Sequence, residues 1–424
     1  MSSMNGSKKI GIMGPFGFGN LGDAAIQEAM LQHVREYVPN AQIYGFSLNP
    51  EDTEKRHGIP SYPIGRMAKN GWQISGESTS STFLERLAVR LHTGNNPVSR
   101  KLGTLAAEFA GLSRASRILK EFDMFIVSGG GQLDDYWGGP FQHPYTLFIW
   151  SLLARWHKVP FYIVSVGAGP LNTRLSRLFD RWALSLATYR SYRDADSKKF
   201  VKNVVGFDRD DPVYPDLAHS IKITPPITRP VSDKPIVGLG PMTYFDPRIW
   251  PESDSAIYGR YLDKLADFTT WLIHQGYKIV FFTGEAVHDR WTVDDLQQLL
   301  AARGVTPAEG QIIDEPIETV DQLLSQLVKT DLVIASRFHG VLLSLRLCKP
   351  VVALSYHKKI NELMADTGQG DYCLSIADFQ VEALKERFKS LEASRQEASA
   401  QIAQHVNAYR AALDEQYATI FANR

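Results

Sequence analysis

The residues best suited to chemistry in this chain lie in the run Ser336-Arg-Phe-His-Gly. The run follows the apolar segment Leu332–Ala335, which is typical of a buried strand, and precedes Val341–Leu347, which is typical of a packed helix. Such a strand-to-helix turn offers an anion backbone N–H groups and the positive end of a helix dipole. Arg337 adds bidentate recognition of phosphate or carboxylate, and His339 adds a titratable proton. The structural alternative is that Arg337 caps a carbonyl and His339 fills a core gap.

Two further candidate binding residues are assigned to the same site as this turn. Gly340 closes the turn and is assigned to the same site. Lys359 follows the strand-like run Val351–Leu354. Because consecutive parallel strands usually lie side by side, we expect Lys359 to reach the anion that Arg337 holds. The alternative for this lysine is a solvated surface position.

A glycine-rich turn, Gly14-Pro-Phe-Gly-Phe-Gly-Asn-Leu-Gly-Asp, follows the first predicted strand and opens the first predicted helix. Its spacing is neither that of a dinucleotide-binding fingerprint nor that of a phosphate loop. Asp23 would repel phosphate, so it fits better as a helix cap, an acceptor for sugar hydroxyls or a catalytic base. Asn20 is assigned either to capping or to substrate binding.

Two more glycine turns follow predicted strands in the first half of the chain, at Ser128-Gly-Gly-Gly and Ser165-Val-Gly-Ala-Gly. Gly130 lies in the first of them, and Asp134 follows it. Three such turns at the carboxyl edge of one parallel sheet predict a cleft there. In that cleft Gly130 would contact a sugar and Asp134 would orient its hydroxyls, although helix capping is an equal alternative for the aspartate.

Arg193 stands at the end of the strand-like run Tyr189–Arg193 and beside Asp194. It is either half of a surface ion pair with Asp194 or a cation that projects into the cleft. Ser197 lies at capping distance on the next predicted helix, and Asp216 is a further acid at a predicted strand end.

The alternation of strands and helices predicts an α/β protein with two Rossmann-like domains. A chain of 424 residues is too long for one ordinary core. We place the N-terminal domain at residues 8–225, with a polar insertion at 66–116, and the C-terminal domain at 233–385. A helical tail follows at 386–424, and a linker with four prolines, Ile223–Pro235, separates the domains.

Composition excludes several classes of protein. Lys plus Arg and Asp plus Glu both number 46, so no net charge favours nucleic acid or an anionic surface. Two cysteines, Cys348 and Cys373, cannot form a disulfide framework, and no Cys/His spacing suggests a metal site. Without a signal peptide or a membrane span, we expect a cytoplasmic protein. Peripheral contact with the inner face of a membrane and homo-oligomerisation stay open.

Seven short runs occur in one fixed order between about Ile10 and Asp371: Gly17-Phe-Gly-Asn-Leu-Gly-Asp, Ser128-Gly-Gly-Gly, Gly167-Ala-Gly-Pro, Arg193-Asp-Ala-Asp-Ser, Tyr214-Pro-Asp, Ser336-Arg-Phe-His-Gly and Tyr356-His-Lys-Lys. Together they resemble the polysaccharide pyruvyl transferase family. The resemblance implies an architecture like that of GT-B glycosyltransferases, with the acceptor on the N-terminal domain and the donor on the C-terminal domain.

The resemblance also implies a reaction. Phosphoenolpyruvate would be the donor substrate, with no separate cofactor and no metal. Its pyruvyl group would form a ketal on a sugar, glycolipid or polysaccharide precursor. Arg337, His339 and Arg193 are implied as donor-contacting residues. The catalytic set is then His339, Arg337 and Asp23. The alternatives are a nucleotide-sugar glycosyltransferase of the same architecture and a non-catalytic glycan-binding assembly subunit.

Overall fold

The structure, a computed structural model, describes residues 7–14, 16–64, 97–136, 138–223, 232–250 and 252–421. Its internal contacts divide the chain into two units. The first comprises residues 1–18, 26–217 and 412–424, and the second comprises 19–25 and 218–411. Most of the predicted linker and the first 31 residues of the predicted insertion, 66–96, lie outside the described residues. The rest of that insertion belongs to a helix, Pro97–Leu119.

The first unit is built on a parallel sheet of seven strands. The strands are β1 (Lys9–Met13), β2 (Gln42–Ser47), β3 (Ser61–Pro63), β4 (Met124–Ser128), β5 (Gly131–Leu133), β6 (Phe161–Ala168) and β7 (Tyr189–Tyr192). Their order is β3-β2-β1-β4-β6, and both β5 and β7 pair with β6. β4 and β6 are buried along almost their whole length, as strands covered on both faces must be.

Helices cover this sheet. They are α1 (Leu21–Tyr37), α2 (Pro50–His57), α3 (Pro97–Leu119), α4 (His143–His157), α5 (Arg174–Leu186) and α6 (Ala195–Phe200). Side-chain caps begin several of them: Thr173 accepts a hydrogen bond from the Ser176 N–H, and Asp194 accepts one from the Ser197 N–H. The core includes a stack in which the ring of Phe125 lies 5.2 Å from that of Trp150.

The second unit repeats the architecture with six parallel strands. They are β8 (Ile236–Gly240), β9 (Lys278–Phe281), β10 (Ile312–Ile313), β11 (Leu332–Ala335), β12 (Val351–Ser355) and β13 (Cys373–Ser375). The order is β10-β9-β8-β11-β12-β13, so β11 and β12 are neighbours. The predicted adjacency of these two strands is confirmed.

The helices of the second half are α7 (Ser255–His274), α8 (His288–Ala302), α9 (Val320–Val328), α10 (Phe338–Arg346), α11 (Lys358–Asp366), α12 (Val381–Ala393) and α13 (Arg395–Phe421). Helix α13 contributes residues to both units, because the division falls after residue 411. Within the part of the chain that is described, no helix has both the length and the apolar composition needed to cross a bilayer.

Candidate functional site

Arg337 lies where strand β11 gives way to helix α10. It is the N-cap residue of α10, with extended backbone, and its carbonyl accepts the first helical hydrogen bond, from the Val341 N–H at 3.0 Å. Ser336, the residue before it, donates its N–H to the Gly240 carbonyl of β8 at 3.1 Å. The turn is therefore anchored to the sheet, and the first-turn N–H groups of α10 have no carbonyl partners within the helix.

The guanidinium of Arg337 is held by Asp289, a completely buried residue of helix α8. Nε lies 3.2 Å and 3.0 Å from the two carboxylate oxygens, and Nη2 lies 2.7 Å from Oδ1. Nη2 also donates to the Thr243 hydroxyl at 3.2 Å. Two backbone N–H groups, of Thr243 and Glu285, fix the Asp289 carboxylate in turn. One edge of the guanidinium is thus occupied.

The Arg337 side chain as a whole is not enclosed. The Arg337 side chain is 28% exposed, whereas that of Asp289 is 0% exposed. Burial acts to lower the pKa of Arg337, but the charge and hydrogen bonds of Asp289 outweigh it and leave that pKa raised. The arginine is therefore a permanent cation with a fixed orientation, suited to an anionic ligand.

The stem of Arg337 packs against a tight turn after β9. A Cβ atom on Gly284 would lie 3.0 Å from both Cβ and Cγ of Arg337, so a larger residue would push the arginine away. The same turn binds residues 19–25 of the second unit. Leu21 donates its N–H to the Gly284 carbonyl at 3.1 Å, and Ala286 donates to the Gly19 carbonyl at 2.9 Å.

This pairing places the first glycine turn against His339. A Cβ atom on Gly22 would lie only 1.9 Å from Nδ1 of the His339 ring. The imidazole therefore lies flush on the Gly22 backbone, and only glycine fits there. The ring of Phe338 contacts the same imidazole edge-on, with 5.1 Å between centroids. The structure thus brings together two predicted motifs from distant parts of the sequence.

Asn20 and Asp23 share the start of helix α1. The Asn20 side-chain oxygen accepts from the N–H of Gly22 at 3.0 Å, and its amide nitrogen donates to Asp23 Oδ2 at 2.9 Å. The capping alternative for Asn20 is therefore realised. Asp23 is oriented by that amide, close in sequence to the glycine that supports His339. Its roles as base or sugar-hydroxyl acceptor stay predictions.

Lys359 and Gly340 lie on two neighbouring helices of the second unit. Gly340 is buried in the first turn of α10, and Lys359 is half-buried in the first turn of α11, where its N–H donates to His357 Nδ1 at 3.2 Å. A cavity of about 530 Å³ lies at the carboxyl ends of β12 and β13. Its lining includes Tyr356 and Lys358. The contact of Lys359 with an anion at Arg337 stays a prediction.

In the first unit, the second and third glycine turns are joined. Gly130 has a positive φ of 70°, and its carbonyl accepts the N–H of Gly167 at 2.7 Å. Asp134 lies beside both turns: a Cβ atom on Gly169 would be 3.1 Å from the Asp134 Cβ. The turns therefore form one continuous surface at the carboxyl edge of β4 and β6.

The two aspartates after β5 differ in their surroundings. Asp135 is buried and accepts hydrogen bonds from the N–H groups of Asn172 and Thr173 and from the Ser176 hydroxyl. Burial acts to raise the pKa of Asp135, but these bonds outweigh it and leave that pKa lowered. Asp135 thus has a structural role, because it holds the segment that begins helix α5. Asp134 is half-buried, accepts the Tyr136 N–H at 3.3 Å, and stays the candidate for a sugar hydroxyl.

Arg193 is paired inside the first unit. Its Nη1 lies 3.4 Å from Asp216 Oδ2, and its Nε lies 3.5 Å from Asp194 Oδ2. The Arg193 side chain is only 8% exposed, whereas that of Asp194 is 33% exposed. The ion pair exists, but its arginine is buried, so the interpretation of Arg193 as a surface residue is wrong. Asp194 also caps helix α6 through the Ser197 N–H at 2.6 Å, as its spacing predicted.

Sequence reasoning missed Asp289, the main partner of Arg337. The signal was present, because Thr283-Gly-Glu285 follows a strand as the other glycine turns do, and Asp289 comes one helical turn later. No short motif surrounds that aspartate. Among the described residues, no three His, Cys, Asp or Glu side chains converge as a metal site requires.

Comparison with known families identifies this arrangement. A model of the polysaccharide pyruvyl transferase family matches residues 20–358, which is most of the chain. The chain belongs to this family. The match begins at Asn20 and includes Arg337, His339 and Gly340, while Lys359 lies one residue beyond it. The family is one of transferases, and the resemblance drawn from the seven ordered motifs is confirmed. No curated protein gave a significant match.

Solved structures establish the fold. The chain superposes on UDP-GlcNAc 2-epimerase from Neisseria meningitidis with a TM-score of 0.54 at 14% identity, covering 93% of this chain and 94% of that one. For MurG from Acinetobacter baumannii the TM-score is 0.52 at 14% identity, with coverage of 98% and 100%. For HepE from Anabaena it is 0.51 at 12% identity, with coverage of 97% and 100%. The predicted GT-B architecture is confirmed.

Proposed function

We propose that this chain transfers the pyruvyl group of phosphoenolpyruvate to two hydroxyls of a sugar in a cell-surface polysaccharide or glycolipid precursor. The product is a pyruvate ketal, and phosphate is released. The observation that carries the proposal is Arg337: one edge of its guanidinium is fixed by buried Asp289, and its side chain stays 28% exposed beside His339. Membership of the family supports the reaction class.

The donor explains why such an arginine is needed. Phosphoenolpyruvate carries a tetrahedral phosphate and a planar carboxylate, and each presents a pair of oxygens that a guanidinium recognises through paired N–H bonds. Asp289 cancels much of the arginine's net charge, so the N-terminal end of helix α10 supplies further stabilisation of the anion. Lys359 is proposed as an additional cation for the same ligand.

The reaction balances without a redox partner. A proton adds to the C3 methylene of the donor, and the electron-poor C2 that results is attacked by one sugar hydroxyl. The C2–O bond to phosphate then breaks, and a second hydroxyl of the acceptor closes the ketal ring. The two hydroxyls lose two protons in all. One replaces the proton that was added to C3, and the other leaves with phosphate.

His339 is proposed to carry a proton between these groups, because imidazole both donates and accepts at ordinary pH. Its contact with the Gly22 backbone would keep the ring in one position through the cycle. Asp23 is proposed to accept a proton from the attacking hydroxyl, with Asn20 orienting its carboxylate. Gly130 and Asp134 are proposed to contact the sugar.

The proposal is tested by measuring phosphate release from phosphoenolpyruvate with a panel of glycans and glycolipids. We expect release to depend on one class of acceptor and on Arg337. Arg337→Lys keeps the charge but loses the paired N–H geometry, so activity should fall by about a thousandfold. The matched control is Arg303→Lys, on a surface arginine that pairs with Asp263 and Asp267.

Three outcomes would contradict the proposal. If Arg337→Lys turned over like the parent protein, the turn would not be the donor site. If UDP raised the melting temperature and phosphoenolpyruvate did not, the chain would act on a nucleotide sugar; its fold is shared with a UDP-GlcNAc epimerase, which makes this the leading competitor. A rise in melting temperature with glycans, without phosphate release under any condition, would indicate a binding subunit.

A further inference from the structure

Helix α4 is apolar on the face that points away from the sheet. Its inner face buries Leu147, Trp150 and Ala154 in the core of the first unit. Its outer face, at helical spacing, consists of Tyr145, Phe148, Ile149, Leu152 and Trp156. Leu152 is 40% exposed and Trp156 is 79% exposed. Tyr145 and Phe148 pack on Phe179 of helix α5, with ring centroids 5.5 Å and 5.6 Å apart. Leu152 and Trp156 are left exposed where a surface helix normally places polar residues.

The stripe continues onto helix α5. Trp182, which is 41% exposed, lies with its ring centroid 5.1 Å from that of Phe148, and Leu178 is 37% exposed one turn earlier. Phe141, 44% exposed, reaches the same group through Phe179 at 6.0 Å. The exposed side chains of the two helices therefore form one apolar surface, here called the α4–α5 face.

The segment that forms the α4–α5 face is rich in basic residues. Residues 141–186 contain five basic residues and a single acid, although the whole chain has equal numbers of both. The five are Arg155, Lys158, Arg174, Arg177 and Arg181, and all except the half-buried Arg177 are exposed. The one acid, Asp180, is completely buried. No exposed carboxylate of this segment offsets the positive charge.

We propose that the α4–α5 face binds the surface of an anionic lipid bilayer. Aromatic and aliphatic side chains would enter the boundary between headgroups and acyl chains, with Trp156 and Trp182 at the depth that indole rings prefer. The arginines would meet lipid phosphates while their stems cover apolar surface. No helix has to cross the bilayer for this, and the proposal does not depend on the reaction.

The distribution of charge favours a bilayer over a second copy of the chain. A symmetric dimer through this face would bring its five basic residues close to the same five of the partner. These like charges would repel one another, because the segment has no exposed acid to offset them. An anionic bilayer satisfies the apolar stripe and the basic surroundings together. The neighbouring helix α3, joined to α4 through Ser116 and His157 at 2.7 Å, also exposes Leu105 and Phe109.

Binding is tested with the full chain and sucrose-loaded vesicles. The vesicles contain phosphatidylcholine alone, or phosphatidylcholine with about one-third phosphatidylglycerol. We expect sedimentation with the anionic vesicles only, weakened in about 0.5 M salt because charges are screened. Trp156→Ser should lower the partition coefficient on the order of tenfold. Arg155→Glu together with Arg181→Glu should lower it by more than about twentyfold.

Two matched variants control for general effects. Leu48→Ser removes an exposed apolar side chain of the same unit outside α4 and α5, and Arg387→Glu reverses an exposed arginine of helix α12. Both should bind vesicles like the parent protein, and the melting temperatures of all variants should match. Equal binding to neutral vesicles, or unchanged binding by Trp156→Ser, would overturn the proposal. So would a dimer in sedimentation velocity that Trp156→Ser dissociates, because a second copy would then cover the face.

Discussion

The two units each place an arginine at the carboxyl end of a strand and pair it with a buried carboxylate, but the two pairs differ. Arg337 makes three contacts of 2.7–3.2 Å with Asp289, and its side chain is 28% exposed. Arg193 makes one contact of 3.4 Å with Asp216 and one of 3.5 Å with Asp194, and its side chain is 8% exposed.

The comparison shows that position at a strand end does not by itself make a ligand-binding arginine. Asp289 holds one edge of Arg337 while the side chain stays 28% exposed, which is how a clamp for a charged substrate is oriented in advance. Arg193 is buried beside Asp216 and pairs with Asp194. This geometry suits a structural role, in which the arginine links strand β7 to the segment that contains Asp216. The donor contact that the family resemblance implies for Arg193 stays a prediction.

The largest difference should appear when Arg193 loses its charge. Arg193→Met leaves the buried Asp216 carboxylate without this cation, so we expect the free energy of unfolding to fall by about 3 kcal/mol. Activity of the fraction that remains folded should change less than in Arg337→Lys. Chemical denaturation and steady-state kinetics measure the two effects.

Arg290→Met serves as the control for Arg193→Met, since its arginine pairs with Asp294 and Asp314 but is 35% exposed. It should destabilise the protein by less. An increase of more than about tenfold in KM for phosphoenolpyruvate, with unchanged stability of Arg193→Met, would show that Arg193 contacts the donor and that the comparison is wrong.

The support of His339 can be tested at Gly22. In Gly22→Ala the new methyl group would lie 1.9 Å from His339 Nδ1, so the imidazole must move. A displacement of that size should lower kcat by about a hundredfold. Gly259→Ala, in helix α7, adds a methyl group that has no neighbour within 4 Å. It should leave kcat unchanged and stabilise its helix slightly. Normal turnover by Gly22→Ala would remove His339 from the mechanism.

A smaller effect should separate a paired buried acid from an unpaired one. Asp180 has no hydrogen-bond partner among the described residues, whereas Asp289 has Arg337. Burial, together with the charges of Asp134 and Asp135, raises the pKa of Asp180 well above 3.8. Between pH 3.8 and this raised pKa, the Asp180 carboxyl keeps its proton in the folded state but has lost it in the unfolded state. The free energy of unfolding therefore falls with rising pH through this window, by at most about 1.4 kcal/mol per unit.

Asp180→Asn should abolish that dependence, so the variant should be more stable than the parent at pH 7 and similar to it below pH 3.8. Thermal melts across this range measure the difference. Asp263→Asn, on a 58% exposed aspartate, is the control and should show no such change. An Asp180→Asn variant less stable at pH 7 would mean that the carboxylate is charged and bound in the folded protein.

Much of the fold was predictable because the strands are short apolar runs bounded by glycine or acid. The predicted strand Leu332–Ala335 agrees residue for residue with the structure, and the predicted run Tyr189–Arg193 is one residue longer than the strand observed. Helices α5 and α8 were missed, because Arg174–Leu186 and His288–Ala302 carry many charges. Which of their residues face the core becomes clear only when the helices are seen packed on the sheet.

The sequence alone determined the family, the α/β alternation and the turn that carries Arg337 and His339. These follow from local composition, which sets where strands end and helices begin. Only the tertiary structure decided that Asp289 orients Arg337, that Gly22 supports His339 and that Arg193 is enclosed by acids. The contacts of Arg337 with Asp289, of Gly22 with His339 and of Arg193 with Asp216 join separate segments of the chain. No local pattern encodes which side chains the packing of strands and helices will bring together.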